Sequence, residues 1–162
     1  MWGKNALMLA TKEGHTEIAE KILTRDDLPP EVLTDRDMWG KTALMIAISQ
    51  GRTDVAKAIL ARDDLPKEVL TATTMLTGAL YEGKNALMIA IEKGNTDVAK
   101  AILARRNLPD VVLTTQSKHG QQNALMLALQ TTGNTEIAKT ILARLNLPDA
   151  VLTAKNTNGQ SV

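Results

Sequence analysis

Four near-copies of one segment fill this chain, and no other feature narrows its possible folds so far. Asn5-Ala6-Leu7-Met8 returns as Thr42-Ala43-Leu44-Met45, Asn85-Ala86-Leu87-Met88 and Asn123-Ala124-Leu125-Met126. A glycine follows each, at Gly14, Gly51, Gly94 and Gly133. Next comes a threonine, an acid, an aliphatic residue and an alanine, as in Thr16-Glu17-Ile18-Ala19 and Thr53-Asp54-Val55-Ala56. Each copy closes on Ile-Leu, then Leu-Pro, then Val-Leu-Thr. The glycines step by 37, 43 and 39 residues, so the unit is about 37 residues with small insertions, among them 75–81 and 120–122. The units are read as about 1–37, 38–80, 81–118 and 119–155, with 156–162 opening a fifth. Met1-Trp2-Gly3-Lys4 copies Met38-Trp39-Gly40-Lys41, which places the first residues inside a unit. With no polar capping unit at either end, the expectation is a segment of a longer array, a redesigned array being the alternative.

Within a unit the pattern reads helix, turn, helix, short third turn. Residues 5–13 carry Ala6, Leu7, Leu9 and Ala10, a short, mostly buried helix, and Gly14 ends it by taking the left-handed conformation cheaply. Thr16 is expected to cap the second helix, with Glu17 in its first turn where the macrodipole favours an acid. Ile18, Ala19, Ile22 and Leu23 then share one face, and Lys21 and Arg25 suit the far end. Pro29 is expected to start the third turn, pinned by Leu28, Val32 and Leu33. Helices of about ten residues, roughly 15 Å long, are marginal alone in water, so each must bury its face against the next unit. The expected fold is an all-α helical solenoid, one domain over 1–162, of helix-turn-helix units with an extra short helical turn.

Composition excludes several function classes. There is no cysteine, which removes disulfides and thiolate chemistry and favours an intracellular setting such as the cytoplasm, secretion as a bacterial effector remaining compatible. Nineteen Lys and Arg against eighteen Asp and Glu leave a formal charge of +1, no footprint for nucleic acid. No run approaches the ~20 apolar residues of a membrane span, and the first residues lack the pattern of a signal peptide. With no Phe, and Trp2, Trp39 and Tyr81 as the aromatics, the core must be built from Leu, Ile, Val, Ala and Met.

The run from Asp37 through Gly40, Thr42-Ala43-Leu44-Met45, Gly51 and Val55-Ala56 is similar in register to the ankyrin repeat pattern D-x-x-G-x-T-P-L-H…G-H-x-x-I-V. Gly14-His15-Thr16-Glu17-Ile18-Ala19 resembles its second half, and the likeness recurs four times over nearly the whole chain. Two departures stand out. Ala replaces the family's proline, and Met8, Met45, Met88 and Met126 replace its first histidine, so the polar network that histidine joins is expected to be absent. The Leu-Pro…Val-Leu-Thr turn also makes the connection about four residues longer than a 33-residue unit allows, which leaves the survival of a β-hairpin finger open.

The resemblance implies a protein-binding surface on the loop tips and the first helices. The tip positions are Met38 and Trp39, Tyr81 and, in the fourth unit, His119; around them lie Lys41, Ser49 and Gln50, then Glu82, Lys84, Glu92 and Lys93, then Lys118, Gln130 and Thr131. These positions change chemistry between copies while Leu and Ala positions do not, as a binding surface on a fixed scaffold does and as a freely drifting solvated face also does. Trp and Tyr are enriched at binding hot spots, whereas neighbouring tips stacked as packing would look the same. The methionine column reads as core. Asp26-Asp27 and Asp63-Asp64 align with Arg106-Asn107 and Leu145-Asn146, so the second position reads as a turn residue bonding backbone. His15 and His119 occupy different positions, and no triad, metal pair or phosphate loop is present. The expected function is a protein–protein interaction module, not an enzyme, without cofactor or metal. Its partner would be another protein, with no nucleic acid or membrane. The chain is expected to be monomeric, with uncapped ends as the route to any association. A structural spacer within a larger multidomain protein or effector is the alternative.

Overall fold

A computed structural model describes residues 3–75, 83–131 and 133–162, and every regular element among them is helical. The first layer holds α1 (Ala6–Glu13), α2 (Thr16–Leu23) and α3 (Glu31–Thr34). The second holds α4 (Ala43–Ser49), α5 (Thr53–Leu60) and α6 (Lys67–Thr71), and the third α7 (Ala86–Glu92), α8 (Thr96–Leu103) and α9 (Val111–Thr114). The fourth holds α10 (Ala124–Gln130), α11 (Thr135–Leu142) and α12 (Asp149–Thr153). The first helices α1, α4, α7 and α10 pack side by side in one row, α2, α5, α8 and α11 in a second, and the short α3, α6, α9 and α12 in a third. This is the expected solenoid.

Each first helix starts on a polar side chain. Asn5 Oδ1 accepts the Met8 N–H at 3.0 Å, Asn85 the Met88 N–H at 3.1 Å and Asn123 the Met126 N–H at 3.0 Å, each filling one of the orphan donors at a helix start. Thr42 does the same for Met45 with its hydroxyl. The asparagines have a second hand. Asn5, Asn85 and Asn123 donate from Nδ2 to the carbonyls of Val32, Val112 and Val151, 27 or 28 residues later, at 2.8–2.9 Å. In these three layers one amide therefore fastens the start of the first helix to the third helix of its own layer.

Gly14, at φ 81°, lets the His15 N–H reach back to the Ala10 carbonyl at 2.8 Å and closes α1. That bond leaves only Gly14 and His15 between α1 and the start of α2. Thr16 is consequently the first residue inside α2 and not its cap, a correction to the sequence expectation; His15 holds the cap position without a side-chain bond. The prolines behave closer to expectation. Pro29, Pro66, Pro109 and Pro148 each offer a carbonyl to the valine three residues on, at 2.9–3.1 Å, and so begin the third turn.

Layers adhere through apolar seams. Ile89 is fully buried between layers, whereas its equivalent Leu9, on the outer side of the first layer, is 47% exposed. Likewise Ile48 and Ile91 are buried, and their equivalent Leu129 on the other outer side is exposed. The methionine column lies wholly in the core, as read from the sequence. Polar staples cross the same seams. Arg62 donates to the Leu23 and Arg25 carbonyls of the layer before it, Arg105 to those of Leu60 and Arg62, and Arg144 to that of Leu103 at 2.7 Å. Each guanidinium thus satisfies the orphan carbonyls at the C-terminus of the preceding layer's second helix, where a cation is also favoured by the dipole. Arg105→Ala is expected to cost about 1.5 kcal/mol, because charged hydrogen bonds to part-buried carbonyls are lost. Arg105→Lys should recover little of it, since one ammonium does not reproduce the planar fork. A shift in urea midpoint measures this, and an unchanged midpoint would show that water serves those carbonyls as well.

Candidate partner-binding surface

The loop tips are built on one buried polar residue per unit. Asp37, Thr74, Ser117 and Asn156 occupy equivalent positions and are all buried. Asp37 Oδ1 accepts the backbone N–H groups of Trp39 at 3.0 Å and Lys41 at 2.9 Å, and the Asp37 N–H donates to the Lys41 carbonyl at 2.9 Å. Asn156 repeats this pattern with Asn158 and Gln160. Thr74 accepts from Lys84, and Ser117 from Gln122. No strand forms among the described residues, but the hairpin-like closure of each tip survives as these bonds. The tips also touch one another: the Met75 N–H donates to the Trp39 carbonyl at 2.8 Å, and that of Thr157 to the Gly120 carbonyl at 3.0 Å.

Stacking explains one glycine in particular. Gly40 has φ 74°, and a Cβ there would lie 2.9 Å from the Met75 backbone nitrogen and 3.1 Å from the Thr73 carbonyl oxygen. Only a residue without a side chain lets the third tip settle on the second. The fourth tip accommodates its extra residue with two successive left-handed residues, Gly120 at φ 83° and Gln121 at φ 49°.

On this frame Met38 is 62% exposed and Trp39 37% exposed. The Lys4 Nζ lies over the Trp39 ring, 5.6 Å from its centroid, so part of that ring is engaged by the first layer. Lys118 and His119 are exposed at the fourth tip. The Lys118 backbone lies against Gly83, and the His119 carbonyl accepts the Ser117 hydroxyl. Gln50 and Lys93 are exposed at the ends of α4 and α7, while Thr131 spends its hydroxyl on the Leu127 carbonyl. Tyr81 and Glu82, with Trp2 and the 76–81 part of the insertion, lie outside the described residues.

The structure pairs the remaining candidates by a rule invisible in any single copy. In the third and fourth layers the residue that leaves the tip meets the residue eight positions on, near the end of the first helix. Lys84 pairs with Glu92, and Gln122 donates from Nε2 to Gln130 Oε1. Lys41 and Ser49 hold the same two positions in the second layer, and Lys4 and Lys12 in the first. The neighbouring Lys12 ammonium, together with partial desolvation, lowers the Lys4 ammonium below the usual lysine range. Ser49 Oγ is buried with no hydrogen-bond partner. Lys4, Lys12 and Gln122 were not among the residues singled out by sequence, although the spacing of eight would have found them.

The acid pairs are structural, but not as expected. Asp27 and Asp64 turn to the arginine two residues before them and not to backbone alone: Arg25 and Arg62 each make two bonds, at 2.7–3.0 Å. The guanidinium hydrogen bond holds each carboxyl below the usual aspartate range. Among the described residues no group of three metal-ligating side chains occurs, and no helix is long and apolar enough to cross a membrane. Two open depressions, of about 270 Å³ around Asp63 and Arg106 and about 230 Å³ around Met126 and Val162, set no nucleophile beside a base.

Comparison with known proteins agrees with this geometry. The family model described as ankyrin repeats (3 copies) matches residues 2–69 and 67–151. Among solved structures, one match is to the Bdellovibrio bacteriovorus predatory endopeptidase Bd0816 in complex with immunity protein Bd3460. It has 21% identity and a TM-score of 0.64 over 99% of this chain and 89% of that one. Another is EF0377, an ankyrin repeat protein, at 20% identity and a TM-score of 0.44 over the same shares. No curated protein matches the chain.

Proposed function

The chain belongs to the ankyrin repeat family, and from that premise we propose that it is a protein-recognition module, without catalysis of its own, that presents its loop tips and first-helix ends to another protein. One observation carries the reading. Among the described residues the tips at Asp37, Thr74, Ser117 and Asn156 are held by equivalent buried bonds, while the side chains they display differ from tip to tip. A frame of fixed backbone with variable side chains gives up little ordering entropy on binding, which is what rigid recognition requires.

Trp39 and Met38 are the apolar anchors of this surface, and Lys41, Ser49, Gln50, Lys84, Glu92 and Lys93 surround them, with Lys118, His119, Gln130 and Thr131 further along. Tyr81 and Glu82 belong to the same proposal by sequence position. The structural neighbour comes from a structure of an endopeptidase in complex with an immunity protein, a protein–protein assembly, which supports the reading without naming a partner. Affinity capture from cells that make the protein, with Trp39→Ala as the matched control, tests it. A protein enriched by the unmodified chain and depleted by the variant is the expected result, and equal enrichment by both would count against this surface.

A further inference from the structure

We propose that the first two layers form an acid-accepting site, in which a carboxylate from a partner polypeptide seats between Lys4 and Lys12 beside the Trp39 ring. The inference rests on the recognition reading above and gives that surface its chemistry. It starts from a comparison within the molecule. In the third layer the tip-to-helix pair closes on itself as Lys84 with Glu92, and in the fourth as Gln122 with Gln130. The first layer puts two amines, Lys4 and Lys12, in that same pair of positions. A cation pair satisfies neither member, and the lowered Lys4 ammonium is the mark of that crowding. The acids in range do not cure it. Glu13 and Asp37 pull the other way only weakly, and Asp37 Oδ1 is occupied by two backbone N–H groups.

A carboxylate from outside would do for Lys4 and Lys12 what Glu92 does for Lys84. Lys4 is already oriented, because its Nζ rests over Trp39 at 5.6 Å. The exposed Met38 and Trp39 surfaces favour a polypeptide over a small anion, since they offer apolar contact that a free anion does not use. The overall charge of +1 disfavours a nucleic acid as the source of negative charge. The partner segment is accordingly acidic with interleaved apolar residues.

The test uses a fluorescein-labelled ten-residue peptide of alternating Glu and Leu, its Gln-for-Glu counterpart, and the full chain, read by anisotropy. The unmodified chain should prefer the Glu peptide by about ten-fold. Lys12→Glu, which rebuilds the Lys84–Glu92 arrangement in the first layer, should remove that preference while melting no lower than the parent. Lys4→Gln is the second variant, for use if the first fails to fold. Lys67→Glu makes the same charge change on exposed α6 and should leave binding within about two-fold, because distant surface charges are screened. Loss of binding by Lys67→Glu equal to that by Lys12→Glu, or equal binding of the Gln peptide, would overturn the site. With the captured partner, an effect of Trp39→Ala but none of Lys12→Glu would remove the acid site and leave the recognition surface standing. No effect of either would remove both.

Discussion

Asn85→Ala is expected to lower the unfolding free energy by about 3 kcal/mol, the sum of a lost helix cap and a buried carbonyl left without its donor. Asn85 is fully buried and makes two bonds at once, Oδ1 to the Met88 N–H and Nδ2 to the Val112 carbonyl. Alanine strands both partners away from water. Because the residue sits in the third layer, with seams on both sides, the loss propagates to α10 and α4 as well as α7. Asn85→Thr separates the two bonds, since the protein already uses a threonine hydroxyl as the cap at Thr42. It should restore about 1 kcal/mol, the usual value of a cap, and leave the Val112 carbonyl unpaired. The reverse change, Thr42→Asn, adds the amide that the second layer lacks and should stabilise by up to about 1 kcal/mol. Urea denaturation followed by circular dichroism measures all three. A loss under about 1 kcal/mol for Asn85→Ala would mean that the amide bond to Val112 contributes nothing net.

Trp39→Ala is expected to weaken binding of the protein partner by about 2 kcal/mol, close to thirty-fold, with little change in melting temperature. The separation of the two effects follows from how the tip is held. Its backbone is tied by Asp37 and by the bond from Met75 to the Trp39 carbonyl, none of which uses the indole. What the indole does contact is Lys4, and an exposed cation–π pair is worth about 0.5–1 kcal/mol. Titration of the captured partner by calorimetry, beside a melt of each variant, decides the matter. A melting point that drops sharply while affinity holds would make Trp39 a packing residue between the first two tips and favour a spacer over a binder.

The architecture was legible because it is local and printed four times. Leu7, Met8 and their copies recur at helical spacing, Gly14 marks a helix end, and Pro29 starts the third turn; each depends on residues within one turn of itself. The candidate surface was legible as positions but not as contacts. Thr16 looks like a cap in sequence because Thr before an acid usually is one, yet the bond from His15 to Ala10 shifts the helix start by one residue. Asp27 and Asp64 look like turn residues, and their alternation with Asn107 hides the arginine two residues before them. Asp37 was noticed as part of a pattern, while its work in clasping the tip needed coordinates.

Sequence alone determined that the chain is a stack of paired helices, since the burial each unit needs is written into its own apolar spacing. Tertiary structure alone decided which polar groups meet. Asn85 finds Val112 across 27 residues because one layer folds back on itself, and Arg105 finds Leu60 across 45 because one layer is superposed on another. The fold of the first layer sets Lys4 against Lys12, and stacking sets Lys4 over Trp39, so the character of the displayed surface comes from tertiary contacts and not from the sequence of any one copy.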